Sequence, residues 1–188
     1  MFFLGITLLV MSVSSASAQA VWGGRIGFSH YMEKATFSGA PAESGNAQGI
    51  ELGPVLYYSL KDNFYFNTGA MLGIMLNTDD KFYYVDIPLY LGLQIPTGNS
   101  NLSFFGQAGP YIGFWFPPSD RNVFFNNFQA GLGIMAGMNI KRFKFELGYK
   151  AGLTNLLSVE EGQIIDGSQY MESKSKMSSL FLGVSYVF

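Results

Sequence analysis

The chain contains no cysteine, a single histidine and few charges, with Lys+Arg 11 and Asp+Glu 13 amounting to 13% of its 188 residues. Without cysteine there are no cross-links, so in an oxidising compartment stability has to come from elsewhere, as from a closed net of backbone hydrogen bonds. The charged fraction is about half of the roughly 25% usual for soluble domains, too lean for a surface wetted on every side. A formal net charge of −2 and the lack of any Lys/Arg cluster argue against a nucleic-acid partner. Also missing beyond the N-terminal segment is an apolar run near the ~18 residues that a membrane-spanning helix requires.

What is present is apolar and aromatic: Phe 18, Tyr 11 and Gly 23, with hydrophobic residues at 48%. These residues are spread in short alternating pieces. The last nine illustrate the pattern. Leu180, Leu182, Val184, Tyr186 and Phe188 share one face of an extended strand, and Phe181, Gly183, Ser185 and Val187 share the other. Such a ladder needs an apolar neighbour, and lipid can be that neighbour. A strand with one face in hydrocarbon must pair all its backbone groups with adjacent strands, so the sheet closes into a barrel.

Residues 1–18 read as a secretory signal peptide, with Phe2 to Val13 as the apolar core and Ala16-Ser17-Ala18 as a small-x-small cleavage site before Gln19. The apolar length is short for a transmembrane anchor. No Lys or Arg lies near Met1, which points to a start further upstream or to an unusually short basic region. The expected organisation is a signal peptide over 1–18 and one barrel domain over 19–188.

Eight alternating stretches follow, at about 21–31, 48–60, 64–76, 83–95, 102–116, 123–139, 143–153 and 178–188. Each is near the ~9–11 residues that a tilted strand needs to cross a bilayer. Three connections are short: Lys61-Asp62-Asn63, Pro96 to Asn101, and Ile140-Lys141-Arg142. The others, 32–47, 77–82, 117–122 and 154–177, include two long ones. Short turns at one end and longer loops at the other are the arrangement of outer-membrane barrels, with both termini on the periplasmic side. The expected fold class is therefore all-β, an eight-stranded antiparallel up-and-down transmembrane β-barrel, acting as a monomer in outer-membrane lipid.

The two faces differ chemically. In the fourth stretch Val85, Ile87, Leu89, Leu91, Leu93 and Ile95 alternate with Tyr84, Asp86, Pro88, Tyr90, Gly92 and Gln94. A solvated row of six aliphatics is an aggregation hazard in water but the required surface in lipid. A soluble, ligand-carrying barrel needs the reverse parity. Inward glycines suit an eight-stranded barrel, whose interior is only wide enough to be filled by side chains. Trp22, Tyr58, Phe64, Tyr83, Phe116, Phe124, Phe143 and Tyr186 fall near strand ends, as interfacial aromatics do.

The segments YVDIPLYLGLQI at 84–95 and FKFELGYKAGLTNL at 143–156, with the terminal SLFLGVSYVF at 179–188, resemble the small outer-membrane β-barrel proteins of Bacteroidetes, the porin-like or PorT-like family. The likeness spans essentially the mature chain. It implies an eight-stranded barrel inserted by the barrel-assembly machinery, which reads the last strand and its terminal aromatic. The chain departs at Asp86, where Glu is common, and at Tyr90-Leu91-Gly92, where a Lys-containing tail is common.

By parity, Arg25, Glu51, Asp86, Lys144, Glu146 and Lys150 all face the lumen, with Asn67, Gln94, Gln107, Gln129 and Asn139. A charge in a narrow interior is costly unless paired. Arg25 is accordingly expected to bond Glu51 or Glu146, forming a polar plug rather than a gated pore or proton path. His30 sits beside Ser29, but neighbours on a strand point to opposite faces, so they cannot form a base–nucleophile pair. No catalytic residue, cofactor or metal site is expected. Gly131-Leu132-Gly133 and Gly23-Gly24 open no helix and so are not nucleotide loops. Asp79-Asp80 and Glu160-Glu161 read as solvated loop charge. Loops 32–47 and 154–177 are candidate protein-partner surfaces, the latter carrying Val159, Ile164, Ile165, Tyr170 and Met171. The function expected is structural or interaction-based; the alternatives are a small porin or secretion component, and a lipid-modifying enzyme.

Overall fold

A computed structural model describes residues 20–37, 43–76, 82–99, 101–116, 126–155, 157–159, 164–165, 168–169 and 173–188. Residues 1–18, Phe124, Asp79, Asp80, Glu160, Glu161, Tyr170 and Met171, all weighed above, lie outside them. The described chain is built from strands: β1 (Ala20–Phe37), β2 (Glu43–Ser59), β3 (Phe64–Gly69), β4 (Met71–Met75), β5 (Tyr83–Pro96), β6 (Leu102–Phe116), β7 (Phe128–Ile140), β8 (Phe143–Gly152), β9 (Leu157–Val159), β10 (Ile164–Ile165), β11 (Ser168–Gln169) and β12 (Ser173–Val187). The wall runs antiparallel from β1 through β2, β3 with β4, β5, β6, β7 and β8 to β12, β3 and β4 together filling one position. The last strand then pairs with the first, Gly23 opposite Val187 and Gly27 opposite Gly183. The sheet closes as an eight-stranded antiparallel barrel, which leaves no edge to pair elsewhere.

Alternation decides which face meets which medium. Leu91, Leu93 and Ile95 are exposed on the outside, and Tyr84, Asp86, Pro88, Tyr90 and Gly92 are buried inside. Leu147 is 63% exposed and Leu182 58%, whereas Glu146 between strand neighbours is 1% exposed. At the short-turn end Phe143, Tyr186 and Phe188 form edge-on contacts, with ring centroids 5.2 and 5.6 Å apart. At the opposite end Phe114 and Phe128 do the same at 5.8 Å.

Two expectations about strand limits need correction. The stretch 32–47 is largely ladder rather than loop: β1 and β2 stay paired as far as Ala35 opposite Glu43, and β12 follows β1 up to Ser173 opposite Phe37. In 154–177, β9 pairs β12 and β10 pairs β11. Along 32–36 and 44–48 side chains of both parities are exposed or half-buried, so the apolar alternation that marks a strand in sequence vanishes while the backbone pairing continues. This long β12–β1–β2 ladder makes the end opposite the short turns the tall end of the barrel, and on the β4–β5 side the described pairing runs to the Met75 N–H, which donates to the Phe82 carbonyl at 2.9 Å.

The third stretch is also broken, at Ala70. Ala70 N–H donates to the Pro54 carbonyl at 3.2 Å, but Pro54 has no N–H to return. Further along, the β3–β5 ladder jumps from Thr68–Leu89 to Met71–Asp86 beside Pro88, and the β5–β6 ladder skips Leu89 and Tyr90 opposite Pro110. Pro54, Pro88 and Pro110, within four consecutive positions of the wall, thus thin the hydrogen-bond net there.

Candidate functional site in the lumen

The interior is filled by interlocked aromatics and glycines. Tyr84 faces Gly73 across the β4–β5 pair, and Tyr65 faces Gly92 across β3–β5. A side chain added at either glycine would overlap the facing tyrosine ring. Glycine is needed here for close approach, and the ring occupies the vacated space.

Two polar layers and a cap stack along the axis. In the middle, five charges from four strands alternate in sign. Glu146 (β8) accepts from Arg25 (β1) at 3.2 Å, and Arg25 approaches Glu51 (β2) at 3.8 Å. Glu51 accepts from Lys150 (β8) at 3.1 Å, and Lys150 donates also to Asp86 (β5) at 2.9 Å. Tyr57 adds a hydroxyl donor to Glu146 at 3.2 Å. Phe181 lies under both cations, 5.3 Å from Arg25 and 5.4 Å from Lys150. Burial of this kind is tolerable only because each charge meets an opposite one at contact distance.

Toward the tall end the network is capped by Tyr84 stacked on Trp115 at 4.8 Å, with Tyr31 edge-on to both. Trp115 Nε1 donates to Gln129 at 3.0 Å. Toward the short-turn end lies Lys144. Its ammonium donates to the Tyr65 hydroxyl at 3.0 Å and sits 3.4 Å from the Phe105 ring centre, 4.5 Å from Tyr65 and 4.8 Å from Tyr57. Tyr65 in turn donates to Gln107 at 3.1 Å.

The structure therefore places Arg25, Glu51, Asp86, Glu146 and Lys150 in one connected chain, with Gln107 and Gln129 buried in the layers on either side. Lys144 is buried too, but it is held by aromatic faces and a phenol rather than by an acid. Gln94 does not join the buried network: it is exposed at the short-turn rim and donates to Ser103 at 3.0 Å. The alternation is the same at its position, but the strand has by then climbed out of the packed interior. His30 pairs with Leu180 and Gln48 on the outer face, whereas Ser29 is fully buried in the lumen. The residues that parity could have named and charge counting passed over are Tyr57, Tyr65 and Phe105 around Lys144, and Tyr31, Tyr84 and Trp115 in the cap.

An apolar outer belt around a closed, charge-filled centre defines a transmembrane β-barrel. The chain belongs to the family described as outer membrane protein beta-barrel domain, whose model matches residues 17–158. Among solved structures it is similar to Neisserial surface protein A, with TM-score 0.52 and 15% identity over 92% of this chain and 99% of that one. It is also similar to the outer membrane protein AlkL in lipid bilayers, with TM-score 0.50 and 14% identity over 93% of each chain. At these identities the likeness is one of fold. No curated protein matches the sequence significantly.

Proposed function

We propose that this is a non-conducting outer-membrane barrel that works through its outer hairpins as an interaction or structural protein. The observation that carries the reading is the unbroken chain Glu146–Arg25–Glu51–Lys150–Asp86 beneath the Tyr31–Tyr84–Trp115 cap, which ties β1, β2, β5 and β8 together across the lumen. By the general orientation of such barrels the short turns face the periplasm and the tall end faces outward. In this reading the chain is exported with cleavage after Ala18 and inserted by the barrel-assembly machinery, which engages β12. It stays monomeric in a Gram-negative envelope, and the resemblance to the PorT-like barrels of Bacteroidetes supports that insertion route. It has no catalytic duty.

Planar-bilayer recording tests the plug directly. The expected result is no steady single-channel steps; discrete conductance would instead favour a small porin or secretion component. A pull-down from intact envelopes tests the interaction role. A partner captured by the full chain and lost from a version lacking 158–174 is the expected outcome. Turnover of labelled lipid A that depends on His30 would restore the enzymatic alternative.

A further inference from the structure

The charges of the lumen balance in number but not in position. Arg25, Lys144 and Lys150 face Glu51, Asp86 and Glu146, yet the connected chain consumes all three acids with two of the cations. Lys144 is left on its own at the periplasmic end, 5% exposed, with no ion pair to a carboxylate among the described residues. Lys144 also lines a cavity of about 320 Å³ that opens at the short-turn mouth, together with Tyr65, whose hydroxyl its ammonium meets. Lys141 and Arg142 of the β7–β8 turn form part of the same wall, and no Asp or Glu does among the described residues; Asp62 of the β2–β3 turn is not part of it.

The neutral groups lining the cavity point the same way. Ser103 Oγ accepts from Gln94 Nε2 at 3.0 Å and from Asn139 Nδ2 at 2.9 Å. Both lone pairs are thereby engaged, and the hydroxyl proton is free to serve a further acceptor. We propose that this mouth binds a small oxyanion of the phosphate class, held by Lys144 from within and by Lys141 and Arg142 from the rim. The ligand supplies the counter-charge that Lys144 lacks, and charge-assisted bonds to three cations are the strong kind. The volume is at the small end of ligand pockets, enough for a phosphate with a short organic appendage. The same chemistry is offered by a free phosphate ester and by the headgroup of an inner-leaflet phospholipid, since Phe143 places the rim at the membrane interface.

The test is calorimetry on the full chain in an uncharged maltoside detergent, titrated separately with inorganic phosphate and with short-chain phosphatidylglycerol below its micellar concentration. Saturable one-site binding of either probe is expected, with phosphate alone indicating a soluble source and phosphatidylglycerol alone a lipid source. Lys144→Met keeps the stem among the aromatic rings and should weaken binding about tenfold or more. The paired change Lys141→Gln and Arg142→Gln, confined to an exposed turn, should weaken it several-fold. Absence of saturable binding by both probes overturns the proposal, as does affinity unchanged in Lys144→Met. If Lys144→Met yields no folded, heat-modifiable band, the turn pair decides, and unchanged affinity there is equally fatal.

Discussion

Lys150→Met is the most informative single perturbation of the lumen. The ammonium lies 3.1 Å from Glu51 and 2.9 Å from Asp86, whose side chains are 0% and 5% exposed. Methionine fills a similar volume but leaves two carboxylates buried together, Asp86 with no cation in contact and Glu51 with only Arg25 at 3.8 Å. Removing one partner from a buried pair costs about 3–5 kcal/mol, most of it the penalty of the stranded charge. If that accounting holds, adding Glu51→Gln and Asp86→Asn to Lys150→Met should recover most of the loss, because no uncompensated charge remains. Arg25 keeps Glu146 throughout. Urea unfolding in lipid vesicles, followed by tryptophan fluorescence, reads both effects: Trp115 reports the cap and Trp22 the outer surface. A loss below ~1 kcal/mol for Lys150→Met, or a triple variant no more stable than the single one, refutes the reasoning.

Five further substitutions can be checked with the same unfolding assay or by heat-modifiability on gels. Arg25→Ala strands Glu146 and should lower the melting temperature in detergent; an unchanged melt counts against the plug. Gly73→Val drives a branched side chain into Tyr84 and should abolish folding or cost at least about 1–3 kcal/mol, whereas Gly24→Ala meets nothing within 4 Å and should be neutral to slightly stabilising. Leu91→Arg, on the lipid face midway along β5, should cost about 2–4 kcal/mol in a bilayer. Pro54→Ala returns the N–H that Ala70's carbonyl lacks and should stabilise by about 0.5–1.5 kcal/mol; a less stable variant would mean that the bend itself is needed.

Strand number, inward and outward faces and the turn-bearing end are legible in the sequence because lipid on one side and packed polar groups on the other impose a strict period of two. Val85 to Ile95 and Phe143 to Leu153 carry that signal plainly. It fades where both faces meet the same medium, which is why the pairing of Met32 with Asn46 and of Lys34 with Ser44 reads as loop. Parity also assigns a face but not a height. It puts Lys144, Glu146 and Lys150 inside alike, yet only the register brings Lys150 level with Glu51 and Asp86 and leaves Lys144 among aromatic rings. The break at Ala70 depends on a proline that is remote in sequence until the register sets Pro54 beside it.

The long ladder at the outer end gives the molecule a stiff, raised surface. The β12–β1–β2 side carries on for about six residues past Tyr31, some 20 Å at the usual rise per strand residue. A macromolecule settling against it would meet side chains held on paired backbone at fixed spacing rather than a loop that has to be ordered on contact. Moving the same residues onto an unpaired segment would lose that preset spacing even with every residue retained.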